Sequence, residues 1–217
     1  FSINVTLQSE GGTGLGGKIA LEAGPDEINR TDTFPYIKTV LESAGYTVDI
    51  VTGTDIDTTA EISQYSAVLI GDSGFGLDDW NTFGETLETY VNNGGGLLDS
   101  GWAPFYLSQS THVGSGYTAL ANLLPVLPGT STFYHSTVTP TEVVHPVTTG
   151  VSTWTAAASS SNGGGVKVGA TVVAKSEFDV PAAVVWEVGE GRVVHLANNY
   201  LVSSPTYLPD QTLNQLN

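Results

Sequence analysis

The side chains of this chain that could carry acid–base or nucleophilic chemistry are few and far apart. There are four histidines, His112, His135, His145 and His195, and no cysteine. Thiolate nucleophiles, zinc–thiolate centres and disulfides are therefore excluded by composition. Ser100, in Leu98-Asp99-Ser100-Gly101-Trp102, follows a short apolar run and precedes a glycine, the setting in which a strand-to-helix turn presents a hydroxyl. A hydrolase built on Ser100 would need His145 or His195 as its base, with Glu142 or Glu187 orienting the imidazole. Two features oppose it. Leu98 stands two positions before Ser100, where a tight turn asks for a small residue, and the Asp99 carboxylate would repel a developing oxyanion. Turn and cap roles are expected for Asp99 and Ser100. His195 lies in an apolar run with Val193 and Leu196 and reads as a packed histidine at the core edge, while His145 precedes Pro146 at a strand end. No histidine pair has the i, i+2 or i, i+4 spacing of a transition-metal site.

Acidic clusters offer a different chemistry. Asp26-Glu27 with Asp32, Asp55-x-Asp57, and Asp72 with Asp78-Asp79 fall where loops should follow strands. Hard oxygens on loops suit Ca²⁺, but none of these has the D-x-[DN]-x-[DN]-G spacing of a calcium loop, so caps and solvated turns are the favoured reading. No other cofactor is expected. Gly12-Thr13-Gly14-Leu15-Gly16-Gly17 matches G-x-G-x-x-G, yet a strand follows it where a pyrophosphate site needs a helix N-terminus. It is read as a linker. Among the tryptophans, Trp80 and Trp186 fit core positions, leaving Trp102 and Trp154 as rings for a carbohydrate platform.

These residues need a scaffold, and the chain is long enough to build one. It has 217 residues, 40% hydrophobic and 13% charged, which is the composition of a folded domain. Six Lys and Arg against 22 Asp and Glu leave a net charge of −16. That field repels phosphate backbones and anionic lipid, so no nucleic-acid partner is expected. Nor is membrane insertion, since no apolar run approaches the roughly 20 residues a span requires. Few lysines, no Cys, no Met and abundant Thr, Ser and Gly predict an extracellular or cell-surface protein.

The pattern over the first hundred residues alternates. Lys18 to Ala23, Tyr46 to Thr52, Ser66 to Ile70 and Leu97-Leu98 read as short apolar strands. A helix from Thr31 or Asp32 to Ala44, and another over Leu77 to Asn92 with Trp80, Phe83, Leu87, Tyr90 and Val91 inward, separate them. Short buried strands joined by helices imply parallel βαβ units. Further on, Tyr117 to Leu124 reads as a helix, and Ser131 to Val138 and Glu142 to Val144 as strand or loop. Thr153 to Gly165 reads as a surface loop, Val166 to Lys175 as a strand, and 182–188 with 192–197 as a hairpin across Gly189-Glu190-Gly191. Pro209-Asp210 opens a last helix.

Four motifs in order resemble the ThuA-like (trehalose-utilisation) branch of the class I glutamine amidotransferase-like fold. They are Tyr90 to Leu98 (YVNNGGGLL), Leu124-Pro125-Val126, His145 to Val151 (HPVTTGV), and Val185 to Val194 with its G-x-G-R-V ending. The resemblance covers Lys18 to Asn217. It implies a flavodoxin-like, doubly wound, mostly parallel sheet with a C-terminal β-hairpin. It also implies a catalytic Cys at the elbow, where this chain has Asp99-Ser100-Gly101-Trp102 and no sulfur, so thiol-dependent glutamine hydrolysis is ruled out.

Residues 1–17 stand apart as a strand plus Gly-rich linker, ahead of the α/β domain at 18–217. Phe1, Ile3, Val5 and Leu7 alternate with Ser2, Asn4 and Thr6, an apolar face that needs cover. The linker can reach the chain's own sheet edge or that of a second copy, so two outcomes are open for Phe1 to Leu7: folding back on its own sheet, or self-association by strand addition to a second copy. The functional expectation is a non-catalytic structural or adhesive module of a secreted or surface protein or extracellular assembly. A Ser100 hydrolase and a carbohydrate-binding module are the alternatives.

Overall fold

The computed structural model describes residues 17–24, 33–71, 79–129, 131–133, 136–156 and 160–198. Five short strands form its parallel half: β1 (Lys18–Glu22), β2 (Thr47–Val51), β3 (Ala67–Gly71), β4 (Gly96–Ser100) and β11 (Gly191–Leu196). Between them run α1 (Thr33–Ser43), α2 (Thr59–Ile62), α3 (Asp79–Asn92), α4 (Ala103–Tyr106) and α5 (Ser115–Leu123). The remaining strands are β5 (Ser131–Phe133), β6 (Ser136–Pro140), β7 (Trp154–Ala156), β8 (Ser160–Gly163), β9 (Thr171–Ser176) and β10 (Pro181–Val188). One nine-stranded sheet has the order β2-β1-β3-β4-β11-β10-β9-β6-β7, and β5 pairs with β8 separately. Strand β11 is the seam, parallel to β4 on one side and antiparallel to β10 on the other. This is the doubly wound sheet with a C-terminal hairpin that the sequence predicts.

Helices cover both faces of the parallel half. On one face, Trp80, Phe83 and Leu87 of α3 and Leu120 and Leu123 of α5 bury Ala20, Val68, Leu97 and Val193. On the other, Phe34 and Ile37 of α1 pack on Ile19, Leu21, Val48 and Leu69. A third cluster, including Val138, Val173, Ala183 and Leu196, fills the antiparallel half. Helix α3 forms because its apolar residues recur at helical spacing, and it stops where Gly94 takes φ +104° and Gly95 N donates to Tyr90 O at 3.0 Å. Helices α3 and α5 cross at glycines: a Cβ on Gly84 would lie 2.1 Å from the Gly116 carbonyl oxygen.

Three sequence expectations change. The segment expected to be a loop from Thr153 to Gly165 contains β7 and β8, which pair with β6 and β5 through their backbones although their side chains are mostly Ser, Thr and Ala. The strand expected from Val166 starts only at Thr171, with Val166 held in an isolated bridge to Val126. Asp99, expected in a turn, lies inside β4. The alternating segment Phe1 to Leu7 and the helix after Pro209 fall outside the described residues, as does any contact they make.

Candidate functional site

Register across the parallel half lines up two rows on the face beneath α3 and α5. The inner row, Ala20, Val68, Leu97 and Val193, is apolar throughout. Two residues further along each strand, toward the carboxyl ends, the row becomes Glu22, Ile70, Asp99 and His195. Ile70 pairs with Asp99, Asp99 with His195, and Glu22 sits one step beyond the Leu21–Leu69 pair. Strand alternation puts all four side chains on the same face. Three ionisable groups thus lie at the end of a doubly wound sheet where ligand crevices form, and all three are buried, Glu22 at 3% exposure and Asp99 and His195 at 0%.

Each is held in place by a named contact. Nδ1 of His195 meets Oδ2 of Asp99 in a close hydrogen bond. The other carboxyl oxygen of Asp99, Oδ1, is buried and has no hydrogen-bond partner. Burial pushes the Asp99 pKa up, with the neighbouring imidazole acting in the opposite sense. Glu22 Oε1 accepts from the backbone N–H of Gly24 at 2.6 Å, closing the turn that leaves β1. Gly24 has φ +63°, which suits a residue without Cβ.

The elbow after β4 has no nucleophile to offer. Ser100 is 0% exposed and its hydroxyl donates to the Asn198 carbonyl at 3.0 Å. It alternates with Asp99, so it points to the opposite sheet face from His195. At the apex stands Gly101, with φ +95° and its N–H bonded to Leu196 O at 2.9 Å. Ser100 is therefore not the exposed hydroxyl that a hydrolase reading requires.

The other candidate residues are dispersed. His145 caps a short 3₁₀ turn, its Nδ1 accepting from Val147 N at 3.2 Å. Burial lowers its pKa, as does Arg192, while Glu187 acts the other way. Glu187 and Arg192 are exposed cross-strand partners at the hairpin end of β11, away from His195. Glu142 is exposed in the loop after β6. Asp55 caps a 3₁₀ turn, accepting from Thr52 N at 2.8 Å. Asp26, Glu27, Asp32, Asp72 and Asp78 lie outside the described residues, and Asp79 opens α3. Among the described residues no group of three His, Asp or Glu side chains is placed to hold a metal ion. Trp102 stacks edge-on against Phe105 at 5.1 Å beside β4, whereas Trp154 packs into the antiparallel core from β7, so the two rings make no common platform. Trp80 is core, and Trp186 lies half-buried under Lys167 Nζ at 5.1 Å. Among the described residues no helix is long and apolar enough to cross a membrane.

No protein-family model matches the chain, and no curated protein matches it significantly. Solved structures do. A cytoplasmic protein, STM1381, from Salmonella typhimurium LT2 aligns over 91% of this chain and 93% of its own, with TM-score 0.64 and 20% identity. A ThuA-like protein from Bacteroides uniformis aligns over 92% and 88%, with TM-score 0.60 and 13% identity. A cold-adapted β-galactosidase from Rahnella sp. R3 aligns over 91% of this chain but only 30% of its own, with TM-score 0.61 and 16% identity. At these identities the likeness establishes the fold alone, one shared with the ThuA-like protein. It also corrects the expectation of a secreted or cell-surface protein: the Salmonella protein that shares the fold end to end is a cytoplasmic one. Low lysine and missing sulfur describe a composition, not an address.

Proposed function

We propose that this chain is a catalytically silent member of the ThuA-like branch, serving as a structural module. The observation that carries the reading is the elbow. Where relatives of this fold place a reactive side chain, Gly101 has none, and the adjacent Ser100 is sealed in the core with its hydroxyl committed to Asn198 O. The imidazole–carboxylate pair nearby resembles the base and orienter of a hydrolytic relay. It nevertheless lies on the other face of the sheet from Ser100 and is fully covered. A base that cannot touch a substrate cannot take its proton. A structural role also agrees with the β-galactosidase of which this fold makes up only 30%.

The experiment is a panel of ester and glycoside substrates with the wild type and Ser100→Ala. Both proteins are expected at background rates. Turnover that Ser100→Ala abolishes would overturn the reading.

A further inference from the structure

We propose that Phe1 to Leu7 of one copy adds as a strand to the outer edge of β7 in a second copy. The inference concerns assembly and goes beyond the catalytically silent reading, standing or falling independently of Ser100.

The segment asks for a sheet edge. Phe1, Ile3, Val5 and Leu7 alternate with polar residues, so one face needs cover and the backbone needs a partner strand. Among the described residues the nine-stranded sheet ends at β2 on one side and at β7 on the other.

The β2 edge is already capped. Thr47 N donates to Gly17 O and Ala23 N to Val51 O, so residues 47, 49 and 51 turn their backbone groups toward β1. Tyr46, Val48, Ile50 and Thr52 therefore turn outward, and three of them are engaged. Tyr46 N donates to Leu41 O at 3.2 Å, Val48 O accepts from Lys38 Nζ at 2.6 Å, and Thr52 N donates to Asp55 Oδ2 at 2.8 Å. A strand arriving here must displace Lys38 of α1, and a lysine laid across an edge is a common block to strand addition.

The β7 edge has no such block. Glu177 N donates to Thr137 O and Thr137 N to Glu177 Oε1, so Thr137 turns its backbone toward β9. Its neighbours Ser136 and Val138 then face β7, where they pair with Ala156 and Trp154. Thr155, opposite Thr137, is left with its backbone N–H and C=O pointing away from β6. Strand β7 (WTA) carries no charge. Trp154 is half-buried at the rim of the cluster that holds Val138 and Val147, so an apolar strand laid beside it extends that cluster.

Reach decides which copy supplies the strand. Gly17 is held by Thr47, leaving Gln8 to Gly16 as the tether. Fully extended it spans about 33–36 Å, and as a Gly-rich coil it averages about 16–19 Å. From β1 the sheet order runs seven strand steps to β7 and one more to a slot beyond it, about 38 Å in all. The tether falls short of its own β7, and its own β2 is closed. The edge it meets belongs to another molecule.

Sedimentation velocity tests this. The full chain should associate as concentration rises; a monomer at every concentration overturns the proposal. A variant lacking residues 1–10 should stay monomeric. So should Thr155→Pro, which removes the outward N–H and keeps the pairing with β6. Association of either variant at the wild-type level overturns the proposal. Mixing the two gives a check that does not depend on how well Thr155→Pro folds, since the deletion variant brings the edge and the proline variant the strand. A one-to-one dimer is expected, and its absence overturns the proposal. None of these results bears on the Ser100→Ala assay, so the two readings fail separately.

Discussion

Asp99 and His195 are 96 residues apart in the chain and directly opposed on adjacent parallel strands, with their side chains in contact and out of reach of solvent. They join β4 to β11, the strand at which the sheet changes from parallel to antiparallel. A contact at that seam holds the two halves of the sheet in register.

His195→Ala should therefore destabilise the domain by about 2–5 kcal/mol, the usual cost of a large buried side chain cut to Ala, and it removes the hydrogen-bond partner of Asp99 Oδ2. Replacing both partners with leucine should recover much of the loss, since buried polar pairs exchange for apolar ones at little net cost. Urea unfolding of the single and double variants measures both. A double variant as unstable as His195→Ala would show that the pair's shape, not its polarity, is what β4 and β11 require.

The α3–α5 crossing depends on glycine. A Cβ on Gly84 would meet Gly116 O at 2.1 Å, and one on Gly116 would meet Asn81 O at 2.3 Å, backbone atoms that cannot swing aside. Gly84→Ala and Gly116→Ala should each cost about 1–3 kcal/mol or more through overpacking. Gly94→Ala is the control. It has φ +104° but open space around it, so only left-handed strain of about 1–2 kcal/mol applies. Thermal melts should rank Gly84→Ala below Gly94→Ala in Tm.

Alkaline pH should unfold the domain through Tyr90. Burial pushes its phenol from 10.0 to about 12, and its hydroxyl donates to Tyr65 O at 3.1 Å. The folded state favours the neutral phenol. Its contribution is thus complete below pH about 10 and is lost as pH rises toward about 12, up to roughly 2–3 kcal/mol. Asp99 acts with the same sign: a raised carboxyl pKa adds stability at low pH that disappears as pH rises through its folded-state value. Stability against pH for Tyr90→Phe should be flatter above pH about 10 than for the wild type, and for Asp99→Asn flatter at lower pH.

Much of the scaffold is legible in the sequence because it is encoded locally. Trp80, Phe83, Leu87, Tyr90 and Val91 mark α3 by their spacing, Gly94 ends it, and Gly189-Glu190-Gly191 turns the hairpin. Strands β7 and β8 are not legible, since WTA is too short to show a period and SSNG has no apolar residue, and both gain their structure from partners supplied elsewhere in the chain. The polar row is hidden for a related reason. Asp99 beside Ser-Gly looks like a turn, and Glu22 closes an apolar run. Only register across β1, β3, β4 and β11 brings Glu22, Asp99 and His195 into one line. The signal is a carboxylate within an apolar strand, which needs a buried partner, and nothing local to Asp99 points to His195, 96 residues away.

The central claim is that this row is sealed core and not a reactive site, and chemical labelling of the histidines tests it most directly. Native protein treated with diethylpyrocarbonate and mapped by mass spectrometry should be modified at half-exposed His112 and His145 and spared at His195. Unfolding in urea should then open His195 to the reagent. Modification of His195 in the native protein, at a rate comparable to His112, would contradict the account.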